Sequence, residues 1–394
     1  MRILHTSDWH IGRTFHGVDL LADQARALRA IADLVAERGI DVVVVPGDVY
    51  DRSIPSSDAV AVCNAGLEAI REAGAVIVAT SGNHDSPVRL GAGAAFAAHG
   101  GLHLITRVSQ IDTPVVLHDE HGEVCFYGIP YLEPEITRAA LGVPEARSHQ
   151  QILDAAMERV RADAAGRGAR TVVLAHAFVV GGQASDSERS ISVGGVETVA
   201  ATSFEGAHYV ALGHLHSPQT VSETVRYSGS PLPYSFGERT HRKAVFVVDL
   251  DESGVAEIER VDLPVVRELT RLEGDLDDLL ADPAHAAVED HYVSAILTDA
   301  VRPLEAMRRL QERFAFAVHV EWQRPAGSTE GSYRDKVRGR SDRDIASAFL
   351  ADVRSEPSER EVGWVDEALR EVDRRRGIGE VTETDLPWRS DVPA

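Results

Sequence analysis

Five times between Met1 and His216 a short, β-rich apolar run ends in a cluster of Asp, His or Asn. Met1 to Thr6 leads into Asp8-Trp9-His10, and Val42 to Val45 into Gly47-Asp48-Val49-Tyr50-Asp51. Val76 to Thr80 leads into Gly82-Asn83-His84-Asp85, Val172 to Ala175 into His176, and Tyr209 to Leu212 into Gly213-His214-Leu215-His216. Continuous β-branched runs of this kind read as strands buried on both faces. A loop directly behind such a strand presents its side chains at the carboxyl edge of a sheet. One such segment is weak evidence, since a lone His after a strand is commonly a hydrogen-bonded structural residue. Five in this order are not explained by structural use alone.

The first 263 residues begin as α/β, with an amphipathic helix over Leu20 to Val35 and a candidate helix over residues 57–73. They then turn strand-rich, with Val124 to Gly128, Val225 to Ser228 and Ala244 to Leu250. That order predicts an α/β fold of two packed mixed sheets flanked by helices. From Pro264 the pattern becomes a compact β-α-β-α-β unit. Its strands are Val265 to Leu272, Tyr292 to Leu297 and Ala317 to Trp322, and its helices run from about Asp275 to Ala281 and from Pro303 to Arg313. Pro303 suits the first turn of its helix. Expected boundaries are therefore 1–263 for the first domain, 264–325 for a small α+β cap, and 326–341 for a polar linker. Residues 342–377 form a helical segment, and 378–394 a tail expected to be disordered. In the helical segment Ile345, Phe349, Leu350 and Val353 share one helical face, as do Val365, Leu369 and Val372.

Composition narrows the class. With 44% hydrophobic and 26% charged residues, the chain reads as globular rather than disordered. No apolar run reaches the roughly 18–20 residues of a membrane span, and no signal-peptide pattern opens the chain, so the expected location is the cytoplasm without membrane contact. Cys63 and Cys125 lack both disulfide-framework and metal-site spacing and read as small buried hydrophobes. The net charge of −22 is unusual for a chain that grips nucleic acid alone, because phosphate neutralisation supplies most such affinity. A nucleic-acid substrate would then require a partner to provide much of the binding surface.

The five segments offer carboxylates, imidazoles and an amide, a donor mix suited to Mn2+, Fe2+ or Zn2+. As a set they resemble the calcineurin-like metallophosphoesterases, and the opening Arg2-Ile3-Leu4-His5-Thr6-Ser7-Asp8-Trp9-His10 resembles SbcD-type exonuclease subunits. Gly82 to Pro87, Gly213 to His216 and Tyr227-Ser228-Gly229-Ser230-Pro231 extend the likeness. The unit after Pro264 resembles the family's cap, and the terminal helices its partner-binding segment. The resemblance implies a metallophosphoesterase sandwich binding two divalent metal ions, with Mn2+ the first choice and Mg2+, Fe2+ and Zn2+ as alternatives. It places Asp8, His10, Asp48 and His216 on one metal and Asp48, Asn83, His176 and His214 on the other, with Asp48 bridging. His84 would face the substrate as acid or charge stabiliser, oriented by Asp51.

The implied activity is metal-dependent DNA cleavage, 3′-to-5′ on duplex ends and endonucleolytic on single strands and hairpins. The implied partner is an SbcC-type coiled-coil ATPase, with this chain a homodimer inside a heterotetramer that serves repair, replication and recombination. The alternative is a metallophosphoesterase acting on a nucleotide or phosphoprotein. Smaller questions stay open at this point. For Asp51 the alternative to orienting His84 is a turn residue or helix cap, and Arg52 reads as a phosphate contact or an exposed salt bridge. The cluster Arg334, Lys336, Arg338, Arg340 and Arg343 reads as a DNA contact or a solvated linker. His5 reads as core, and Asp85 as a loop residue bonded to backbone.

Overall fold

A computed structural model describes residues 1–183, 187–188, 198–323, 339–353 and 358–376. Backbone contacts divide the chain into two units, Met1–Thr270 with Asp290–Tyr292, and Arg271–Glu289 with the residues from Val293 onward.

The first unit holds two six-stranded sheets. One runs, edge to edge, Gly254–Asp262, Ala244–Asp251, Arg2–His5, Val42–Pro46, Val76–Thr80, Leu102–Ile105. The other runs Gln219–Thr220, Val225–Tyr227, Tyr209–Gly213, Arg170–His176, Gly122–Ile129, Val115–Asp119. The central strands of each sheet are parallel. Their burial follows strand periodicity on both faces. Val42 and Val44 face Val172, Leu174 and Phe126 in the core between the sheets. Val43 and Val45 point the other way, against Leu28, Ile31 and Val35 of helix Leu21–Arg38 and Cys63 and Ile70 of helix Ser57–Glu72. The second sheet repeats the arrangement with Val173 and Ala175 against Ile152, Ala156 and Val160 of helix His149–Ala165. Helix, sheet, sheet and helix thus form four layers, the sandwich expected from the strand-rich α/β pattern.

The second unit holds most of a three-stranded sheet ordered Leu269–Gly274, Tyr292–Leu297, Ala317–Trp322. Leu272, Leu276, Val293, Leu297, Leu310 and Phe314 close its core. Two expectations shift here. The first strand begins at Leu269 rather than Val265, whose side chain is 48% exposed. The second helix begins at Ala306, because Glu305 takes a left-handed φ of 51° that interrupts the turn carrying Pro303.

Beyond it, helices Asp342–Val353 and Glu359–Arg376 are joined by a paired Arg343–Asp366 contact at 2.6 and 3.0 Å. Phe349, Trp364 and Val372 remain exposed on them. Arg334, Lys336 and Arg338, most of the expected linker and all of residues 378–394 lie outside the described residues. No helix among the described residues is long and apolar enough to cross a membrane.

Candidate metal centre

All five segments meet at the carboxyl ends of parallel strands in the two sheets. Asp8 and His10 follow Arg2–His5, Asp48 follows Val42–Pro46, and Asn83 and His84 follow Val76–Thr80. His176 ends Arg170–His176, while His214 and His216 follow Tyr209–Gly213. The backbone is forced to bring them together. Asp8 (φ 53°), His10 (φ 44°), Asp48 (φ 49°) and His214 (φ 108°) all have positive φ, a strained choice for residues with side chains. Such strain concentrates where function over-determines the geometry. Two glycines allow the close approach. A Cβ on Gly82 would collide with Asp48 Oδ1, and one on Gly213 would collide with the Pro46 carbonyl oxygen.

Donor atoms converge in two neighbouring groups. Asp8, His10 and His216 form one, in which His10 Nε2 and His216 Nε2 are 3.0 Å apart. In the other, His176 Nε2 lies 2.9 Å from Asn83 Oδ1, and Asp8, Asp48 and His176 cluster. Asp48 Oδ2 stands between them, 3.5 Å from His10 Nε2 and 3.4 Å from His176 Nε2. His10, Asp48 and His84 make a third grouping, which places His84 at the border of the centre. His214 is in none of the three groupings among the described residues; its ring packs edge-on to His176, with centroids 5.4 Å apart.

The chemistry of this donor set fits cations. Two imidazole nitrogens that ligate one ion, each at about 2.0–2.1 Å, end up close to the separation of His10 and His216. Burial holds His10 and His176 down to about 3, and it holds His214 and His216 well below the ordinary histidine value, so all four imidazoles are neutral as ligation requires. Burial, and then the nearby charge of Asp48, push the Asp8 carboxyl well up. Two adjacent buried carboxylates share a proton or take positive charge between them, and a bound cation would supply that charge.

Around the donors, the structure assigns roles the motifs left open. Asp85 accepts from the backbone amides of Val49 (3.1 Å), Gly82 (2.9 Å) and Tyr50 (2.9 Å), and so ties the loop bearing His84 to the loop bearing Asp48. His5 is a core residue, bonded to Tyr209 Oη at 2.9 Å and the Leu212 carbonyl at 3.1 Å. His84 Nδ1 donates to the backbone carbonyl of Asp51 at 2.8 Å. The Asp51 carboxylate, expected to make that contact, lies 3.9 Å from the same nitrogen. It also sits 3.6 Å from His10 Nδ1, 3.9 Å from Arg13 Nη1 and 3.7 Å from Arg52 Nε. Arg52 is 76% exposed, whereas Arg13 is largely buried and stacks over Tyr234. An open cleft of about 700 Å³ over the centre is lined by Arg13, Arg52, Asn83, His84 and Glu188 among others.

Sequence reasoning missed Arg13, Ser187, Glu238 and Lys243. None falls in one of the five segments, and their contacts with His216 or Ser187 join positions far apart in the chain. Cys63 and Cys125 are buried and unbridged.

A sandwich of this topology, with strand-end Asp and His side chains gathered into buried clusters of donor atoms, is the architecture of a metallophosphoesterase. Residues 1–218 match the calcineurin-like phosphoesterase family, and residues 265–354 match a domain described as the type 5 capsule protein repressor C-terminal domain. The chain is 31% identical over 314 residues to a Staphylococcus epidermidis protein, the SbcD component of the nuclease SbcCD, covering 79% of this chain and 83% of that one. It belongs to the calcineurin-like phosphoesterases and, among them, to the SbcD-type nuclease subunits. Similar solved structures include TT1561 of Thermus thermophilus, with TM-score 0.40, 14% identity and coverage of 68% of this chain and 99% of that one. A dimetal phosphatase from Danio rerio gives TM-score 0.38, 14% identity and coverage of 67% and 99%.

Proposed function

We propose that this chain is the nuclease subunit of an SbcCD-type complex and hydrolyses DNA phosphodiesters with two bound divalent cations, Mn2+ first among them. The observation that carries the reading is Asp48 Oδ2, standing 3.5 Å from His10 Nε2 and 3.4 Å from His176 Nε2 between two donor groups. Asp8, His10, Asp48 and His216 would hold one cation, and Asp48, Asn83, His176 and His214 the other. When bound, the pair would lower the pKa of a water to near 7 and offset charge on the phosphoryl oxygens.

The chain's own groups do the rest. Asn83 and the two backbone-tied loops fix the donors, and Arg13 and Arg52 put positive charge in a cleft that otherwise carries Asp51, Asp85 and Glu188. His84 Nδ1–H is committed to a backbone carbonyl, so Nε2 is the nitrogen that exchanges a proton. There it acts on the leaving oxygen as a general acid. The activities are 3′-to-5′ duplex exonuclease and single-strand or hairpin endonuclease, in DNA repair, replication and recombination in the cytoplasm.

The acidic balance of the chain favours a partner that supplies the DNA-binding surface. The terminal helices, with Phe349, Trp364 and Val372 exposed, would dock on an SbcC-type coiled-coil ATPase in a complex containing two copies of each chain. That charge balance also favours the second reading, a phosphoesterase for nucleotides or phosphoproteins. Cleavage of a labelled hairpin duplex, with and without the ATPase, in Mn2+, Mg2+ or chelator, separates the two. Nucleolytic products that require metal are expected. Hydrolysis of nucleotide monoesters with the hairpin left intact would favour the second reading.

A further inference from the structure

His216 is held from its far side by a chain of polar groups that the motifs do not contain. Its Nδ1 lies 2.6 Å from Ser187 Oγ, and that hydroxyl donates onward to Glu238 Oε1 at 2.6 Å. Because the hydroxyl's own proton goes to the carboxylate, it accepts from the imidazole. Nδ1 therefore carries the ring proton, and the Nε2 lone pair points to His10 and the donor group. The chain continues, since Glu238 Oε2 pairs with Lys243 Nζ, which also donates to the His216 carbonyl at 2.8 Å and to Ser230 Oγ at 3.0 Å. The Tyr234 amide supplies Glu238 with a further donor at 3.2 Å.

All four groups are buried, with Ser187 8%, His216 1%, Glu238 1% and Lys243 7% exposed. A buried ion pair is costly to desolvate and often no more stabilising than apolar packing. Packing alone therefore gives no reason for one here. The pair grips both ends of one residue: the ring of His216 through Ser187, and its backbone through Lys243. Adjacent contacts reinforce Ser187, whose carbonyl accepts from Arg13 Nη2 at 2.7 Å, while Glu188 Oε1 accepts from the His216 amide at 2.8 Å.

We infer that Ser187, Glu238 and Lys243 are positioning residues that fix the tautomer and orientation of His216 for cation binding. Groups that carry the second nitrogen of a ligating histidine typically account for about 10–100-fold in metal affinity. This inference rests on the reading of His216 as a ligand, so the test must separate the two.

Equilibrium dialysis of the full-length protein against Mn2+ alone, with elemental analysis, gives the number and affinity of bound ions. Ser187→Ala is the informative variant, because it leaves the Glu238–Lys243 pair intact and avoids an unpaired buried charge. The expected result is loss of one tightly bound Mn2+ in His216→Ala. In Ser187→Ala the same ion should bind about 10–100-fold more weakly while the second ion is retained. The Mn2+ concentration that gives half-maximal cleavage should rise by a matching factor. If His216→Ala loses an ion and Ser187→Ala binds both with unaltered affinity, the positioning role is overturned and the ligand assignment stands. If His216→Ala keeps both ions, both are overturned.

Discussion

His84 donates its Nδ1 proton to the Asp51 backbone carbonyl at 2.8 Å, while the Asp51 carboxylate stands 3.9 Å away. The hydrogen bond runs to the main chain, with the carboxylate alongside as a charged neighbour. His84→Gln or His84→Ala should lower turnover by about 10²-fold or more while leaving both metals bound. Asp51→Asn preserves the backbone carbonyl and, at saturating Mn2+, should cost less turnover than either His84 variant. Single-turnover cleavage of one DNA substrate by the variants compares them directly. Equal losses would return the carboxylate to the role of His84's partner.

The terminal helices expose Phe349 and Trp364 and carry Leu369 half-buried. Burying one such side chain contributes about 1.5–3 kcal/mol to association. A chain ending at Gly339 should stay folded, keep both metals and still cleave short single-stranded DNA. It should lose stable binding to an SbcC-type ATPase, and Phe349→Asp combined with Leu369→Asp should reproduce that loss. Affinity measured at fixed salt is the check, and undiminished binding places the interface elsewhere.

Much of this architecture is legible in the sequence because each central strand is buried on both faces, which leaves runs such as Val42–Val45 with no polar interruption. Tyr292–Leu297 and Ala317–Trp322 stand out for a similar reason, as short β-rich runs between helical patterns. Helices Pro134–Leu141 and His149–Ala165 were not legible, since their apolar positions are diluted by Ala and by charge. The Pro303 helix start failed on one backbone angle, at Glu305. Most motif residues of the centre announce themselves because several donors share a loop, as in Asp8-Trp9-His10 and Gly213-His214-Leu215-His216, whereas His176 stands alone. Ser187 and Glu238 do not, being 51 positions apart and meaningful only once folding joins them to His216.

Away from the centre, Arg170 forks onto Asp119 from the adjoining part of the second sheet, with Nη1 2.9 Å from Oδ2. Arg170 is 5% exposed, and Asp119 13%. The guanidinium, against the opposing effect of burial, holds the Asp119 carboxyl well below its usual range. A carboxyl with a depressed folded-state pKa stabilises fully above its unfolded value of about 3.9 and less as pH falls below it. Asp119→Asn should therefore lower stability at pH 7 by about 1.5–3 kcal/mol, with the gap to wild type narrowing below about pH 4. Urea titrations at several pH values test the sign, and a gap that widens in acid contradicts it.

The central claim is that Asp48 serves two cations at once. Manganese content and hairpin-DNA cleavage, measured on the same preparations of wild type and Asp48→Ala, test it most directly. The account predicts two tightly bound ions and metal-dependent cleavage in wild type, with bound metal near zero and no cleavage in Asp48→Ala. Two tightly bound ions in folded Asp48→Ala would contradict it.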